Sequence, residues 1–275
     1  MLGKLVKHEF KETYKLFGIV YAAFLLLTLV SRFSVNIPFD NILTEFLSIF
    51  LNVVYVISIF GLSFAVMIIA MIRFNNKMFK DEAYLTHTIP VKTWQHIASK
   101  VFTYSVWVII SAVMMVVSIV LYFIGTDEFD KIMKVIDEII GVIGDYPVTI
   151  VTIVLVAVVC IFQVVANILA FTSALSLGQI FRKHKIAGAV FFYFVLNSVM
   201  STATSYLMYL FPNYLEKMET FEREIEKANT TSEIMNMLCS TMNIMFAYSL
   251  VIVILMIVVY FFITNYMLSK KLELE

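Results

Sequence analysis

Residue types that commonly do chemistry are scarce in this chain, and none of them stands in a recognisable catalytic pattern. The motifs GxxxxGK(S/T), HExxH and GxSxG, which cradle phosphate, hold zinc and present a nucleophilic serine, do not occur in the sequence. Cys160 and Cys239 lack the spacing of a disulfide framework or a metal site. The histidines all fall outside the apolar runs: His8, His87, His96 and His184. We therefore expect no catalytic residue and no metal ligand, and an enzyme is the least favoured class.

Uncharged polar side chains recur at helical spacing within two of the apolar runs. They are Asn52 and Tyr55 in the second run, and Asn197, Ser201, Thr204 and Ser205 in the fifth. Small and amide side chains at such spacing most often hold membrane helices together. The alternative is that they line a translocation path, and these six residues are our candidates for that path.

The elements that carry these residues are long and apolar. Six segments contain no Asp, Glu, Lys or Arg: Leu16–Ser31, Phe46–Ile72, Val101–Thr126, Tyr146–Phe181, Ile186–Leu215 and Ile234–Ser269. Five exceed the roughly 20 residues needed to cross about 30 Å of hydrocarbon, and the first is long enough if residues 13–33 tilt. Alternating segments of about 10 residues, typical of transmembrane β-barrels, are not what the sequence shows. The predicted fold is an all-α integral membrane protein with six transmembrane helices in one domain, 1–275.

Composition supports this fold class. The 275 residues are 61% hydrophobic and 15% charged, with a mean hydropathy of +0.91, whereas soluble chains are about 45–50% apolar and about 25% charged. The 20 basic and 20 acidic side chains cancel, so no net field attracts nucleic acid. None of the 40 charges lies inside the six apolar segments. Because coupled transporters use such residues as relays or counter-ions, we expect any uphill transport to be powered by another subunit.

The charges outside the six segments are distributed unevenly. The side with the N-terminus, residues 73–100, residues 182–185 and the C-terminus carries 14 Lys or Arg against 6 Asp or Glu, and the other side carries 6 against 14. Basic loops stay in the cytoplasm. We therefore expect a multi-pass membrane protein with both termini in the cytoplasm.

Residues 1–17 have the pattern of an interfacial amphipathic helix. Its two faces are Leu2, Leu5, Val6, Phe10, Tyr14 and Phe17, and opposite them Lys4, Lys7, His8, Lys11 and Lys15. The basic face is expected to contact anionic lipid headgroups. Glu9 is the exception, because it falls within the apolar sector at about 100° per residue. It either reaches past its neighbours to water or pairs with a cation on a neighbouring loop or subunit, since an unpaired carboxylate there is costly.

Two connections on the acidic side are predicted to be helical. Residues 127–145 place apolar side chains at helical spacing, and residues 213–239 do so more weakly. Both are predicted to be extracellular helical connections, either lying over the outer mouth or packed as ordinary loop helices.

The connection 74–100 mixes charge with apolar residues in a way that solvated linkers do not. Asp81 and Glu82 open a short stretch, Tyr84 and Leu85 can bury, and Pro90 breaks any helix before it. A compact helix-turn-helix on the membrane face, suited to contact a soluble motor subunit, fits this pattern.

The segments KHEFK near the N-terminus and FKDEAYLTHTIPVKTWQHIASK after the second span together resemble the permease subunits of ATP-binding-cassette exporters of the type-2 permease class. In Gram-positive members of this class the loop reads like DEGYLTFTLPVS ahead of a lysine. The residues that match are Asp81, Glu82, Tyr84, Leu85, Thr86, Thr88, Pro90, Val91 and Lys100. Ala83, His87 and Ile89 depart from the pattern. The six-span topology and the helical connection between spans five and six extend the resemblance over most of the chain.

This resemblance implies a half-transporter of the bacterial plasma membrane without its own ATPase. Two permeases, either identical or paralogous, would pair around a path flanked by the second and fifth spans, and two ATPase subunits, which hold the ATP and Mg²⁺, would dock below. Asp81 to Val91 would form the coupling helix that passes motor motion to the spans. The N-terminal helix, with Glu9 and Phe10, would be the elbow that steers it.

The expected cargo follows from the candidate path residues and the resemblance. A path without a charge ring suits an amphipathic or apolar cargo. Exporters of bacteriocins and phenol-soluble modulins are similar in character, which favours export of, or immunity to, amphipathic peptides. A lipid or drug exporter, and an uncoupled channel or membrane scaffold whose basic loop contacts lipid, are the alternatives.

Overall fold

A computed structural model describes residues 2–35, 41–80, 91–181, 183–210 and 231–270. This part of the chain is helical throughout and contains no strand. Its helices are α1 (Leu2–Val35), α2 (Ile42–Phe79), α3 (Thr93–Phe123), α4 (Asp127–Asp145), α5 (Pro147–Gly178), α6 (Lys185–Leu210) and α7 (Thr231–Lys270).

Six of these helices, all except α4, are long and apolar enough to cross a membrane. They coincide with the six charge-free segments, so the predicted number of membrane-spanning helices is confirmed. The chain has the architecture of a multi-pass membrane protein.

The helices form two compact units, the first ending at Lys134 and the second starting at Val135. In the first unit α1, α2 and α3 pack against one another. Their core is a buried cluster of large side chains: Phe17, Tyr21, Phe24, Leu62, Val66 and Trp107. The rings of Phe17 and Trp107 stack with their centroids 4.8 Å apart, which fixes α1 against α3.

In the second unit α5 packs against both α6 and α7. Ala166, Ala170 and Ala174, spaced four residues apart on α5, are buried. Small residues at this spacing let membrane helices approach closely. Where α5 turns into α6, a Cβ at Gly178 would lie 2.6 Å from the backbone N of Ala189, so only glycine fits there.

Several predicted boundaries differ from the observed ones. Residues 1–17 and the first span are not separate: α1 is one helix of 34 residues, about 51 Å long, and a distinct elbow helix is not confirmed. The segment lacks proline, so nothing in the backbone ends the helix near Phe17.

The flanks of the predicted coupling region also belong to the long helices. Residues 74–79 continue α2 and residues 93–100 begin α3. Residues 81–90 lie outside the described residues, so the coupling helix stays a prediction. The helix over 127–145 is present as α4. Of 213–239, residues 213–230 also lie outside the described part, and α7 begins at Thr231.

Candidate functional site

Three helix ends of the first unit meet at a cluster of charged side chains. Glu9 and Glu12 lie near the start of α1, Lys77 lies in the last turn of α2, and Lys100 lies near the start of α3. Because α1, α2 and α3 run alternately up and down, the start of α1, the end of α2 and the start of α3 share one end of the bundle. The four residues form what we call the basal ion cluster.

Glu9 is the centre of the basal ion cluster. Its Oε2 accepts a hydrogen bond from Lys77 Nζ at 3.2 Å, and its Oε1 accepts one from Lys100 Nζ. Lys77 Nζ also donates to Glu12 Oε2. Of the two alternatives for Glu9, the structure shows the pairing with cations and not a carboxylate reaching to water: among the described residues its partners are Lys77 and Lys100 of the same chain.

The cluster is withdrawn from water. The side chains of Glu9, Lys77 and Lys100 are 9%, 7% and 1% exposed, while Glu12 remains 34% exposed. Among these four residues, two carboxylates face two ammonium groups. Taking such charges out of water is costly, and removal of one partner of a buried pair is strongly destabilising.

A hydrogen-bonded chain beneath the cluster holds α1 in register with α3. Thr13 Oγ1 donates to the carbonyl of Glu9 at 2.8 Å and accepts from Trp107 Nε1 at 2.9 Å. Two turns further along α1, Tyr21 OH donates to the Trp107 carbonyl at 2.8 Å. Phe10, the other predicted elbow residue, lies beside this tryptophan with ring centroids 5.9 Å apart. Glu9 is thus fixed through its backbone as well as its carboxylate.

The basal ion cluster brackets the predicted coupling segment. Of that segment, Asp81, Glu82, Tyr84, Leu85, Thr86, Thr88 and Pro90 lie outside the described residues. Val91 is half-buried and lies two positions before the start of α3. Lys77 lies four residues before Asp81, and Lys100 lies ten residues after Pro90. Both arms that lead into residues 81–90 are therefore bonded to the same α1 carboxylate.

Asn52 and Tyr55, two of the predicted path residues, join the helices of the first unit far from the basal ion cluster. Asn52 Oδ1 accepts hydrogen bonds from Ser34 Oγ at 3.0 Å and from Tyr122 OH at 2.9 Å. The buried Tyr55 hydroxyl bonds Ser118 Oγ at 3.1 Å, and its ring stacks on Tyr122 at 4.4 Å. These are the contacts of helix packing, and a path-lining role for the two residues stays a prediction.

The other four path candidates lie on α6 in the second unit. Asn197 and Thr204 are half-buried, and Ser201 and Ser205 are exposed. Asn197 Nδ2 donates to the Tyr193 carbonyl at 3.0 Å, and Ser205 Oγ to the Ser201 carbonyl at 3.0 Å. The Asn197 amide nitrogen and the Ser205 hydroxyl thus have partners within their own helix, and the exposed Ser201 and Ser205 remain accessible to lipid, cargo or another subunit.

Sequence reasoning missed Lys77 and placed Lys100 only at the end of the loop motif. The available signal was positional: both lysines flank apolar spans on the side where Glu9 interrupts an apolar face.

Within the described part of the chain, no group of three or more His, Cys, Asp or Glu residues could hold a metal ion. Neither a protein-family model, nor a curated protein, nor a solved structure matches this sequence or fold.

Proposed function

We propose that this chain is the membrane-spanning subunit of an ATP-driven exporter of amphipathic or hydrophobic cargo, with peptides as the favoured substrate class. It pairs with a second permease copy or a paralogue. Its energy comes from a separate ATPase subunit that binds ATP and Mg²⁺. The resemblance of residues 79–100 to the coupling region of type-2 exporter permeases and the absence of charge from the six apolar segments support this proposal.

The observation that carries the proposal is the position of Glu9 between Lys77 and Lys100. A motor subunit that pushes on residues 81–90 acts on the end of α2 and the start of α3. Because both ends are bonded to Glu9, the force reaches α1, α2 and α3 together. Packed helices respond to such a push by moving as a rigid body rather than by bending. The N-terminal part of α1 then serves as the lever that the elbow prediction described.

The same arrangement argues against a freely moving cytoplasmic loop. A loop that merely contacts lipid headgroups needs no buried anchor on either side, and surface lysines suffice for it. Here the two anchoring lysines are buried and paired with one carboxylate. Such an anchor has a mechanical use only if force arrives at the segment between them.

The proposal is tested on the full-length chain, tagged and purified from its native membranes in mild detergent. ATP hydrolysis sensitive to vanadate is measured in the purified sample, for wild type and for Tyr84→Ala and Pro90→Ala. We expect an ATPase subunit to co-purify with the wild type and to be lost, or to hydrolyse ATP without stimulation by cargo, in both variants. Glu128→Gln, an exposed substitution on α4, is the matched control and should behave as wild type.

The cargo class is tested with the same complex in lipid nanodiscs. A synthetic amphipathic helical peptide is compared with a fluorescent lipid analogue and with a hydrophobic dye. Stimulation of ATP hydrolysis by the peptide alone supports peptide export. Stimulation by the lipid or the dye alone would assign the chain to lipid or drug export instead.

A further inference from the structure

Helix α4 differs from the other helices of the chain because it cannot cross a membrane. It is 19 residues long, about 28 Å at 1.5 Å per residue. Between Asp127 and Glu138 it carries five acidic and two basic side chains, a net charge of −3. Charges of this number do not enter hydrocarbon. Both ends of α4 therefore face the same membrane surface.

The ends of α4 are held close to that surface by short connections. Three residues join it to the spanning helix α3, and Tyr146 alone joins it to the spanning helix α5. Since a residue extends the chain by at most about 3.6 Å, neither end can move far from the level at which a span leaves the membrane. At the α3 end, Gly125 adopts a φ of +75°, and Arg32 Nη2 donates to the Ile124 carbonyl at 2.6 Å, so the turn is fixed. A helix tied down at both ends must lie along the surface.

Within each of the two units, the apolar face of α4 has no partner among the described helices. All residues from Lys131 to Gly141 are exposed, and within its own unit neither half of α4 packs against another described helix. The exposed apolar side chains lie on one side at helical spacing: Ile132, Met133, Val135, Ile136, Ile139 and Ile140. Lys131, Lys134, Asp137 and Glu138 lie opposite.

We propose that α4 is an interfacial helix whose apolar face binds the lipid surface at the boundary between headgroups and acyl chains, with its acidic face in water. Helices with one wide apolar face and one charged face lie in this position, with the apolar face about 5–10 Å below the headgroups. The excess of acidic side chains repels anionic headgroups, so the preferred surface is zwitterionic. This inference depends only on the six spanning helices and not on the proposed transport function.

The helix position is tested by attaching an environment-sensitive fluorophore to single cysteines in the full-length protein in nanodiscs. The background is Cys160→Ser with Cys239→Ser. Labels at Ile136→Cys and Ile139→Cys report on the apolar face, and labels at Lys134→Cys and Asp137→Cys form the matched set on the charged face. All four positions are exposed, so the substitutions leave the fold intact.

The expected result is a blue-shifted emission at the two apolar positions, quenched by shallow spin-labelled lipids and not by iodide in the water. The two charged positions should show the reverse. Iodide quenching on both faces would overturn the proposal, because α4 would then stand in water. Protection of the apolar face from both quenchers would also overturn it, because that face would then be packed on protein, such as a second copy of the chain.

The charge preference is tested by comparing phosphatidylcholine nanodiscs with nanodiscs containing phosphatidylglycerol. Lipid quenching at Ile136→Cys and Ile139→Cys should fall as the anionic lipid increases and recover with added salt, which screens the repulsion. In a chain that also carries Asp137→Lys and Glu138→Lys, lipid quenching at Ile139→Cys should instead rise as the anionic lipid increases. If lipid quenching rises with anionic lipid in the chain that retains Asp137 and Glu138, the preference of α4 for a zwitterionic surface is wrong.

Discussion

Replacing Glu9 by glutamine should destabilise the first unit far more than loss of an exposed carboxylate does. The substitution keeps the size of the side chain and removes the charge that Lys77 and Lys100 contact. Removing one partner of a buried pair costs about 3–5 kcal/mol. Lys77 keeps its contact with Glu12, which reduces the loss, so we expect about 3 kcal/mol, near the lower end of that range.

The assay is thermal unfolding of the purified protein, followed by exposure of buried tryptophan such as Trp107. At about 2–4 °C per kcal/mol for a chain of this size, Glu9→Gln should lower the unfolding midpoint by roughly 6–12 °C. Glu128→Gln is the matched control because it breaks an ion pair with Lys131 that is 3.7 Å long and 60–74% exposed. Exposed pairs contribute about 0.2–1 kcal/mol or less, so that variant should unfold within a few degrees of wild type.

A double-mutant cycle separates the ion pair from other effects of the Glu9 substitution. Lys100→Met should destabilise by a similar amount, because it leaves Glu9 with fewer cations. The double variant Glu9→Gln with Lys100→Met should lose less than the two single losses combined, since it leaves Lys77 and Glu12 balanced. Equal shifts of the unfolding midpoint for Glu9→Gln and Glu128→Gln would refute the buried ion cluster as a source of stability. Stability losses that add strictly in the double variant would refute the pairing of Glu9 with Lys100.

Three further substitutions test the packing and the path candidates. Tyr55→Phe keeps the ring stack and removes the bond to Ser118, so it should lower stability by about 1 kcal/mol in thermal unfolding. Gly178→Ala forces a Cβ to 2.6 Å from the Ala189 nitrogen and should destabilise by about 1–3 kcal/mol, whereas Gly61→Ala, with nothing within 4 Å of its Cβ, should not. Ser201→Leu, on an exposed position, should change stability by less than about 0.5 kcal/mol yet reduce cargo-stimulated ATP hydrolysis, and unchanged stimulation would exclude Ser201 from the path.

The number of spanning helices could be predicted because hydrocarbon imposes a length and excludes charge, and both constraints are local in sequence. The helix over 127–145 was equally accessible, since its periodicity needs no partner. The continuity of α1 from Leu2 into the first span could not be predicted in this way. A change from amphipathic to uniformly apolar sequence suggested two elements, but a helix continues across such a change when no proline or suitable cap stops it.

The partners of Glu9 were beyond sequence reasoning for a different reason. Its position within an apolar sector left two alternatives, a carboxylate reaching to water or one paired with a cation, because an unpaired buried carboxylate is costly. Lys77 and Lys100 are 68 and 91 residues away and look like ordinary lysines at the edge of a span. Only the packing of α1 between the ends of α2 and α3 selects them. Asn52 and Tyr55 show the same limit, because their helical spacing is compatible with both a path and a helix contact.

ATP hydrolysis by the chain purified from native membranes tests the central claim most directly. The account predicts that a vanadate-sensitive ATPase subunit co-purifies with the wild type and that Tyr84→Ala and Pro90→Ala abolish its binding or its stimulation by cargo. Purified chain with no associated ATPase, or with ATPase that is bound and stimulated equally in both variants, would contradict it.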